Sequence, residues 1–142
     1  GLNIRNTDLS AFIGRGQLKK MDTFVHLRDA NYNAFLNNLE GNVWVQKSDT
    51  QPVSALAFGV ISKSKKKITD ALIESNIECR PLICGSIQEH PFWYERYPKR
   101  DLPVATRVHV DGFYVPCHQN LTREQIDLIS DIIVENNNGE DK

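Results

Sequence analysis

The stretch from Thr7 to Leu39 contains no proline, and this constrains the fold most because it permits one long helix. Thr7 and Asp8 carry side chains that cap helix N-termini, so the helix is expected to begin near Thr7. The Glu40-Gly41 pair supplies a signal for its end. Apolar residues recur within this stretch mostly at three- and four-residue steps, at Leu9, Ile13, Leu18, Met21, Phe24, Val25 and Leu27. We therefore predict a single helix that ends near Leu39.

Two glycines, Gly14 and Gly16, fall in the first half of this helix. Glycine inside a helix costs about 1 kcal/mol relative to alanine, and helices tolerate it where another backbone approaches closely. The approaching backbone belongs either to this domain or to another domain or subunit. The presence of two glycines within three residues favours the second interpretation.

The elements after the long helix are short. Segments with the composition of strands are 42–49, 55–62, 77–84 and 113–118. Helical signals cover 68–76, a short segment led by Pro91, and the stretch after Thr122, while 102–112 fits a short helix or an extended turn. The sequence therefore predicts an α+β fold, in which a long helix precedes a small domain with a small, mostly antiparallel sheet and short helices.

Thr122 is placed to cap the final helix, and its burial pattern follows from the spacing of its apolar residues. Ile126, Ile129 and Ile133 are expected to form the buried face, with Leu128 and Ile132 alongside.

Composition excludes several classes of protein. The chain has 142 residues, 40% of them hydrophobic and 25% charged, which is typical of a globular domain with its own core. A net charge of −1 argues against a nucleic-acid binder. No run of apolar residues is long enough to span a membrane and no leader is recognisable, so we expect neither membrane insertion nor secretion. The three cysteines show no CxxC spacing, and we expect reduced thiols and a cytoplasmic location.

Motifs for metal binding or nucleophilic catalysis are missing from the sequence. The four histidines have no metal-ligand spacing, and the GxSxG, HExxH and Walker patterns do not occur. Cys117 and His118 are neighbours, so in a strand they point to opposite faces. Cys84 or Cys117 would need an oriented base to act as a nucleophile, and buried structural thiols are expected instead. We predict no metal site and no catalytic residue in this chain.

Asn3 and Arg5 form the first candidate binding pair. They alternate with Leu2 and Ile4, so in an extended loop the amide and the guanidinium face the same way. Such a pair just before a helix N-terminus suits a phosphate group. A surface loop with solvated polar residues accounts for the stretch equally well.

Arg80 is the second candidate because it lies among apolar residues in "IECRPLICGS". A charged residue in an apolar strand is rarely left unpaired. It makes either a structural salt bridge or a contact with an anionic substrate. Gly85 and Ser86 follow in a turn that allows close backbone approach.

Three motifs together resemble the C-terminal part of the DegT/StrS family of pyridoxal-phosphate-dependent sugar aminotransferases and dehydratases. The family pattern G-[YFL]-N-x-R-x-[TS]-[DN]-L-x-A-x-x-G-x-x-Q-L stands here as "GLNIRNTDLSAFIGRGQL". The pattern I-x-x-RP stands as "IECRPLICGS", and the closing lP-x-H-x-x-L-T-x-x-[EQ]-[IV] as "VPCHQNLTREQI". The motifs fall in the family's order and spacing over nearly the whole chain.

The resemblance implies a fold-type I enzyme of which this chain supplies only the back part. Residues 1–41 are then an inter-domain loop and a long interface helix, and residues 42–142 are the small C-terminal domain. The large domain would carry the lysine, or the histidine of the dehydratases, that meets pyridoxal phosphate or pyridoxamine phosphate. The resemblance further implies a homodimer with shared active sites, in which Asn3 reaches the cofactor phosphate of the partner subunit and Arg5 lies near the diphosphate of a nucleotide sugar.

The segment "LICGSIQEHPFW" bears on which chemistry the parent performs. It resembles the RP-L-x-x-G-N-x-x-x-x-P-[FY] stretch of the family's sugar 3-dehydratases more than the shorter turn of its aminotransferases. Ser86 replaces the usual asparagine and His90 replaces the commoner glutamine, and with Arg80 and Gly85 these are the expected substrate-binding residues. The competing hypothesis is a free-standing α+β ligand-binding or interaction module without catalysis.

Overall fold

The computed structural model describes residues 7–138, which fold into helices and a small sheet. The helices are α1 (Asp8–Leu18), α2 (Met21–Leu39), α3 (Lys65–Glu74), α4 (Pro91–Tyr94), α5 (Pro103–Asp111) and α6 (Arg123–Asn136), with a 3₁₀ turn at Ile87–Glu89. The strands are β1 (Trp44–Val45), β2 (Ala57–Ile61), β3 (Arg80–Pro81) and β4 (Gly112–Pro116). The predicted α+β class is confirmed. None of the helices in residues 7–138 is both long enough and apolar enough to cross a membrane.

The sheet has the order β1-β2-β4-β3, and every neighbouring pair is antiparallel. In the central pair, Phe58 lies opposite Val115 and Val60 lies opposite Phe113. These four side chains are buried, because alternate residues of a strand point to the same face. The sheet therefore has one face in the core and an outer face that carries the alternate residues of the strands, among them Ala57.

Helices α2, α3 and α6 cover the core face of the sheet. The fully buried side chains that they contribute are Phe35, Leu39, Ile68, Leu72, Ile126 and Ile133. Thr122 caps α6 as predicted, since its side chain accepts a hydrogen bond from Gln125 N–H. In return, Oε1 of Gln125 accepts a hydrogen bond from Thr122 N–H. The expected face of α6 is buried, whereas Leu128 is 52% exposed.

The predicted single long helix is divided into α1 and α2 at Lys19 and Lys20. Lys20 N–H donates to Gln17 O at 2.9 Å, which tightens the last turn of α1 and ends it. No residue of α1 is buried against residues 7–138, so no packing within the described part holds the two segments in one continuous helix. Apart from its own helix backbone, no atom of residues 7–138 lies within 4 Å of a Cβ placed at Gly14 or Gly16, so these glycines do not serve close packing within the described part of the chain.

The strands are shorter than the sequence predicts. Segment 77–84 contributes only Arg80 and Pro81 to the sheet, because the chain turns at Leu82 and Gly85 N–H donates to Leu82 O at 3.0 Å. Segment 42–49 contributes only Trp44 and Val45. The later predictions are closer, since α4 begins at Pro91 and segment 102–112 is the helix α5.

Candidate substrate-binding site

Four of the six predicted site residues lie in the described part of the chain. Arg80 is on β3, Gly85 and Ser86 follow it in the connection to α4, and His90 directly precedes α4. Asn3 and Arg5 lie outside the described residues. The four described residues fall into two clusters. Arg80 lies on the edge strand of the sheet, whereas Gly85, Ser86 and His90 belong to a second cluster beside α5.

Arg80 lies on the outer face of the sheet, because it pairs in register with Tyr114 of β4. Its guanidinium donates to Glu78 Oε1 from Nε at 2.8 Å and from Nη2 at 2.5 Å. The hydrogen bonds to Glu78 raise the pKa of Arg80, with smaller contributions from Tyr114. A salt bridge, one of the two alternatives for Arg80, therefore exists, but at the surface, since the Arg80 and Glu78 side chains are 64% and 69% exposed.

An open depression of about 260 Å³ surrounds this ion pair. Its lining comes from the strands β2, β3 and β4 and from residues next to them in the chain. The lining residues are Leu56, Ala57, Glu78, Arg80, Tyr114, Pro116 and His118. We call it the Arg80 depression. It joins a guanidinium, a carboxylate, a phenol and an imidazole on one open surface of the sheet.

His118 brings a ring of defined tautomer to the Arg80 depression. Its Nδ1 accepts from Asn120 N–H at 3.2 Å, so the neutral ring carries its proton on Nε2. Its carbonyl accepts from the Asn31 side chain of α2 at 2.8 Å, which ties this turn to the helix. Cys117 lies on the opposite side and is fully buried, as the alternation predicts. Burial raises the pKa of the Cys117 thiol to about 11.

The Gly85–Ser86 turn packs against α5. Gly85 has φ of 65°, and a Cβ added there would lie 2.1 Å from Nδ1 of His109. Ser86 N–H donates to the same nitrogen at 3.2 Å, and Ser86 is 4% exposed. The close approach that Gly85 permits is thus to the ring of His109, a residue that the sequence analysis did not single out.

His90 joins this second cluster from the other side. Its Nε2 is 2.8 Å from Cys84 O, and its ring stacks on Phe92 with centroids 5.8 Å apart. Cys84 is exposed, so the expectation of a buried structural thiol is correct for Cys117 and wrong for Cys84. His90 and His109 therefore contact the loop that follows β3 at Cys84 and Ser86, respectively.

Neither a metal nor the cofactor of the resembled family is matched by the described residues. In residues 7–138 no three histidine, cysteine, aspartate or glutamate side chains are grouped to hold a metal ion. The Arg80 depression contains no lysine, and the depression that contains Lys63, Lys66 and Lys67 contains no aromatic ring. Neither surface therefore combines a lysine with an aromatic ring.

Comparison with known proteins gives relatives that are longer than this chain. A GDP-4-keto-6-deoxy-D-mannose 3-dehydratase of Yersinia pseudotuberculosis is 29% identical over 142 aligned positions, which cover 94% of this chain and 36% of that protein. The structure of the E. coli GDP-4-keto-6-deoxy-D-mannose-3-dehydratase with bound hydrated PLP matches with a TM-score of 0.79 and 26% identity, over 93% of this chain and 36% of the other.

A Brucella abortus aminotransferase structure is similar in fold, with a TM-score of 0.82 at 18% identity over 97% of this chain and 38% of the other. The chain thus spans little more than a third of the length of the proteins it matches. A family profile matches residues 1–134, almost the whole sequence. On that match, the chain belongs to the DegT/DnrJ/EryC1/StrS aminotransferase family.

Proposed function

We propose that this chain is the C-terminal part of an enzyme that uses pyridoxal phosphate or pyridoxamine phosphate to modify a nucleotide-linked 4-keto sugar. The observation that carries the proposal is the family match over residues 1–134. It is supported by the similarity to two GDP-4-keto-6-deoxy-D-mannose 3-dehydratases, one of them solved with bound hydrated PLP. The parent enzyme would work in the cytoplasm, in the biosynthesis of deoxy or amino sugars for polysaccharides.

The chemistry we favour for the parent is 3-dehydration. The segment from Leu82 to Trp93 has the length and the glycine of the dehydratase pattern, and both dehydratase relatives exceed 25% identity. Transamination is the second candidate, supported by the match to the aminotransferase family over residues 1–134. A histidine at the cofactor position of the parent indicates the dehydratase, whereas a lysine indicates the aminotransferase.

The parent would be a homodimer with shared active sites, and α1 would lie at an interface. Support comes from the exposed apolar side chains of α1, among them Phe12, which is 77% exposed. An open apolar depression of about 420 Å³ lies where Gly14 and Leu18 of α1 face Met21 and Phe24 of α2. On this proposal residues 1–41 form the loop and interface helices, although the second half of α2 also packs into the core of the small domain.

The site residues of this chain would bind rather than react. Asn3 would contact the cofactor phosphate of the partner subunit, and Arg5 would contact the diphosphate of the nucleotide sugar. Arg80 would contact the substrate, and the loop with Gly85, Ser86 and His90 would close around it. The bond-making residues would all come from the large domain.

The experiment that tests the proposal uses the parent enzyme. Its coding sequence is read upstream of residue 1 for a cofactor domain, and the purified parent is assayed with GDP-4-keto-6-deoxy-D-mannose. We expect a cofactor absorption band and either loss of the 3-hydroxyl or transfer of an amino group from glutamate. An upstream reading frame without a cofactor domain would contradict the proposal and favour a free-standing binding module.

A further inference from the structure

The turn formed by residues 82–86, directly after β3, has a strained backbone. Ile83 has φ of 52° and Gly85 has φ of 65°, and both values lie in the left-handed region. Glycine adopts this region readily, whereas a β-branched residue rarely does. A residue held in such a conformation persists only where surrounding contacts impose it. The side chain of Ile83 is 80% exposed, so its own packing does not supply those contacts.

Hydrogen bonds hold the turn in this conformation. Leu82 N–H donates to Gly112 O at 3.2 Å, at the start of β4, and Gly85 N–H donates to Leu82 O at 3.0 Å. Ser86 N–H donates to Nδ1 of His109 at 3.2 Å. This last bond ties the far end of the turn to α5. It therefore links the strained segment to an element that is distant in the chain.

The bond between Ser86 and His109 depends on the protonation state of the ring. A backbone N–H can only donate, so Nδ1 of His109 accepts and the neutral ring carries its proton on Nε2. A protonated imidazole has an N–H group at both nitrogens. Protonation of His109 would therefore set two donors against each other and break the bond.

His90 is in the opposite situation. Its Nε2 lies 2.8 Å from Cys84 O, and because a carbonyl oxygen can only accept, Nε2 donates. A second proton on Nδ1 of His90 leaves that bond intact. Of these two contacts to the loop, only that of His109 is lost on protonation.

Other charged and titratable side chains lie on the elements packed around His109. On α5 and in the loop after β3 they are Cys84, Glu89, His90, Arg107 and Asp111. From neighbouring segments they are Lys65, whose Nζ donates to His109 O at 3.4 Å, Lys99, which pairs with Glu89, and Tyr114 of β4. Carboxylates ordinarily titrate below about pH 5, whereas thiols, phenols, amines and guanidinium groups titrate above about pH 8. Between these limits the groups that change charge are therefore the two histidines.

We infer that His109 is a positioning residue, whose neutral ring holds the turn 82–86 in its strained conformation and whose protonation releases the turn. Release relieves the strain at Ile83, so one proton changes the balance between two conformations. The released form takes up the proton without losing a hydrogen bond, and falling pH therefore favours it. The consequence for substrate binding rests on the proposed function, which assigns Gly85 and Ser86 to the substrate.

The test is an NMR titration of the 142-residue chain from about pH 8 to about pH 5, the range in which histidine changes its charge. The ring signals of His109 report its protonation. The contact between the amide and Hα protons of Ile83 reports its φ, because a left-handed residue brings these two protons closer together than an extended one.

We expect Ile83 to leave the left-handed region as the ring of His109 becomes protonated, and Ser86 N–H to lose its protection from hydrogen exchange. A nearby charge alone shifts signals but does not change φ. A protonated ring with unchanged φ at Ile83 overturns the inference, and so does a ring that stays neutral throughout the titration.

Variants separate positioning from a general structural role. His109→Asn keeps an oxygen that can accept from Ser86 N–H and takes up no proton between about pH 5 and about pH 8, so the turn should stay as it is throughout. His109→Leu removes the acceptor, and the turn should be released at every pH. His26→Asn, on the exposed surface of α2, is the matched control and should titrate like wild type.

A wild-type pH response in His109→Asn overturns the inference, as does a left-handed Ile83 in His109→Leu. The signals of β2 and β4 show whether each variant is folded, and the wild-type titration decides the question if a variant does not fold.

In the parent enzyme the same equilibrium should appear in KM for the nucleotide sugar. As pH falls through this range, KM should rise several-fold more in wild type than in His109→Asn, and comparing the two removes the titrations that they share. Equal pH profiles of KM overturn the link to substrate binding. The NMR titration needs neither cofactor nor substrate, so a parent without the proposed activity contradicts only the proposed function.

Discussion

Gly85 lies directly against the ring of His109, 24 positions later in the chain, so closely that a methyl group on Gly85 would be 2.1 Å from Nδ1. The same nitrogen accepts from Ser86 N–H at 3.2 Å. One imidazole therefore fixes both the position and the conformation of the turn that follows β3. The loop that we assign to substrate binding is thus anchored by α5, and a side chain at Gly85 would collide with His109.

Replacing Gly85 by alanine is expected to destabilise the chain by about 2–4 kcal/mol, because the new methyl group collides with His109 and φ of 65° strains any residue with a Cβ. Urea denaturation of the 142-residue chain measures the difference. Gly14→Ala is the control, since Gly14 lies in a helix and nothing else in residues 7–138 would touch the new methyl group, and it should stabilise the chain by about 1 kcal/mol. Equal stability of Gly85→Ala and wild type would contradict the packing described.

The buried Cys117 thiol predicts a loss of stability at alkaline pH. Its pKa rises from 9.0 to about 11 because burial disfavours the thiolate. The folded state therefore holds this proton more tightly than the unfolded state, and that contribution is complete below pH 9.0 and is lost between pH 9.0 and about 11. The urea midpoint of wild type should fall across this window more steeply than that of Cys117→Ala.

Thiol labelling gives an independent check on the same residue. Cys84 is exposed and should react with a thiol reagent in the folded chain, whereas Cys117 should react only in urea. Rapid labelling of Cys117 under native conditions would show that it is not enclosed by the core.

Local signals predicted some elements well because their determinants lie within a few residues. The capping box of Thr122 and Gln125 spans four positions, and the spacing of the buried residues is repeated along the helix α6. Gly41 adopts φ of 84° just after Leu39, as the expected end of α2 requires. In each case the partner that stabilises the element is visible in the same short segment.

The remaining features depend on contacts between distant segments. His109 meets Ser86 only because α5 and the turn after β3 are packed together, and a histidine late in a helix gives no sign of such a role. The helix is divided into α1 and α2 because residues 7–138 supply no packing that would bury α1. The surface position of the Arg80–Glu78 pair follows from which face of the sheet the helices cover. None of these is encoded in local spacing.

The isolated chain should not retain pyridoxal phosphate. Neither the Arg80 depression nor the depression around Lys63, Lys66 and Lys67 combines a lysine with an aromatic ring that could stack on the cofactor. After incubation with pyridoxal phosphate and desalting, the purified chain should show no stoichiometric visible absorption band. A stable band of that size would place a cofactor site within these 142 residues.

In the parent enzyme, Asn3→Ala should weaken retention of the cofactor. A hydrogen bond to a charged group contributes about 1.5–3 kcal/mol, so the dissociation constant should rise by about one to two orders of magnitude. Equilibrium dialysis measures the change. Asn37→Ala, on the exposed surface of α2, is the control and should leave the affinity as it was. Unchanged affinity in Asn3→Ala would remove Asn3 from the cofactor site.

Arg80→Lys separates a substrate-binding arginine from a structural one. Because the ion pair with Glu78 is exposed, its loss should leave the melting temperature nearly unchanged. Lysine keeps the charge but loses the planar set of donors, so a contact to the substrate on one side and to Glu78 on the other cannot both be kept. We expect KM of the parent for the nucleotide sugar to rise several-fold while its fold is retained. A lower melting temperature with unchanged kinetic constants would instead assign Arg80 a purely structural role.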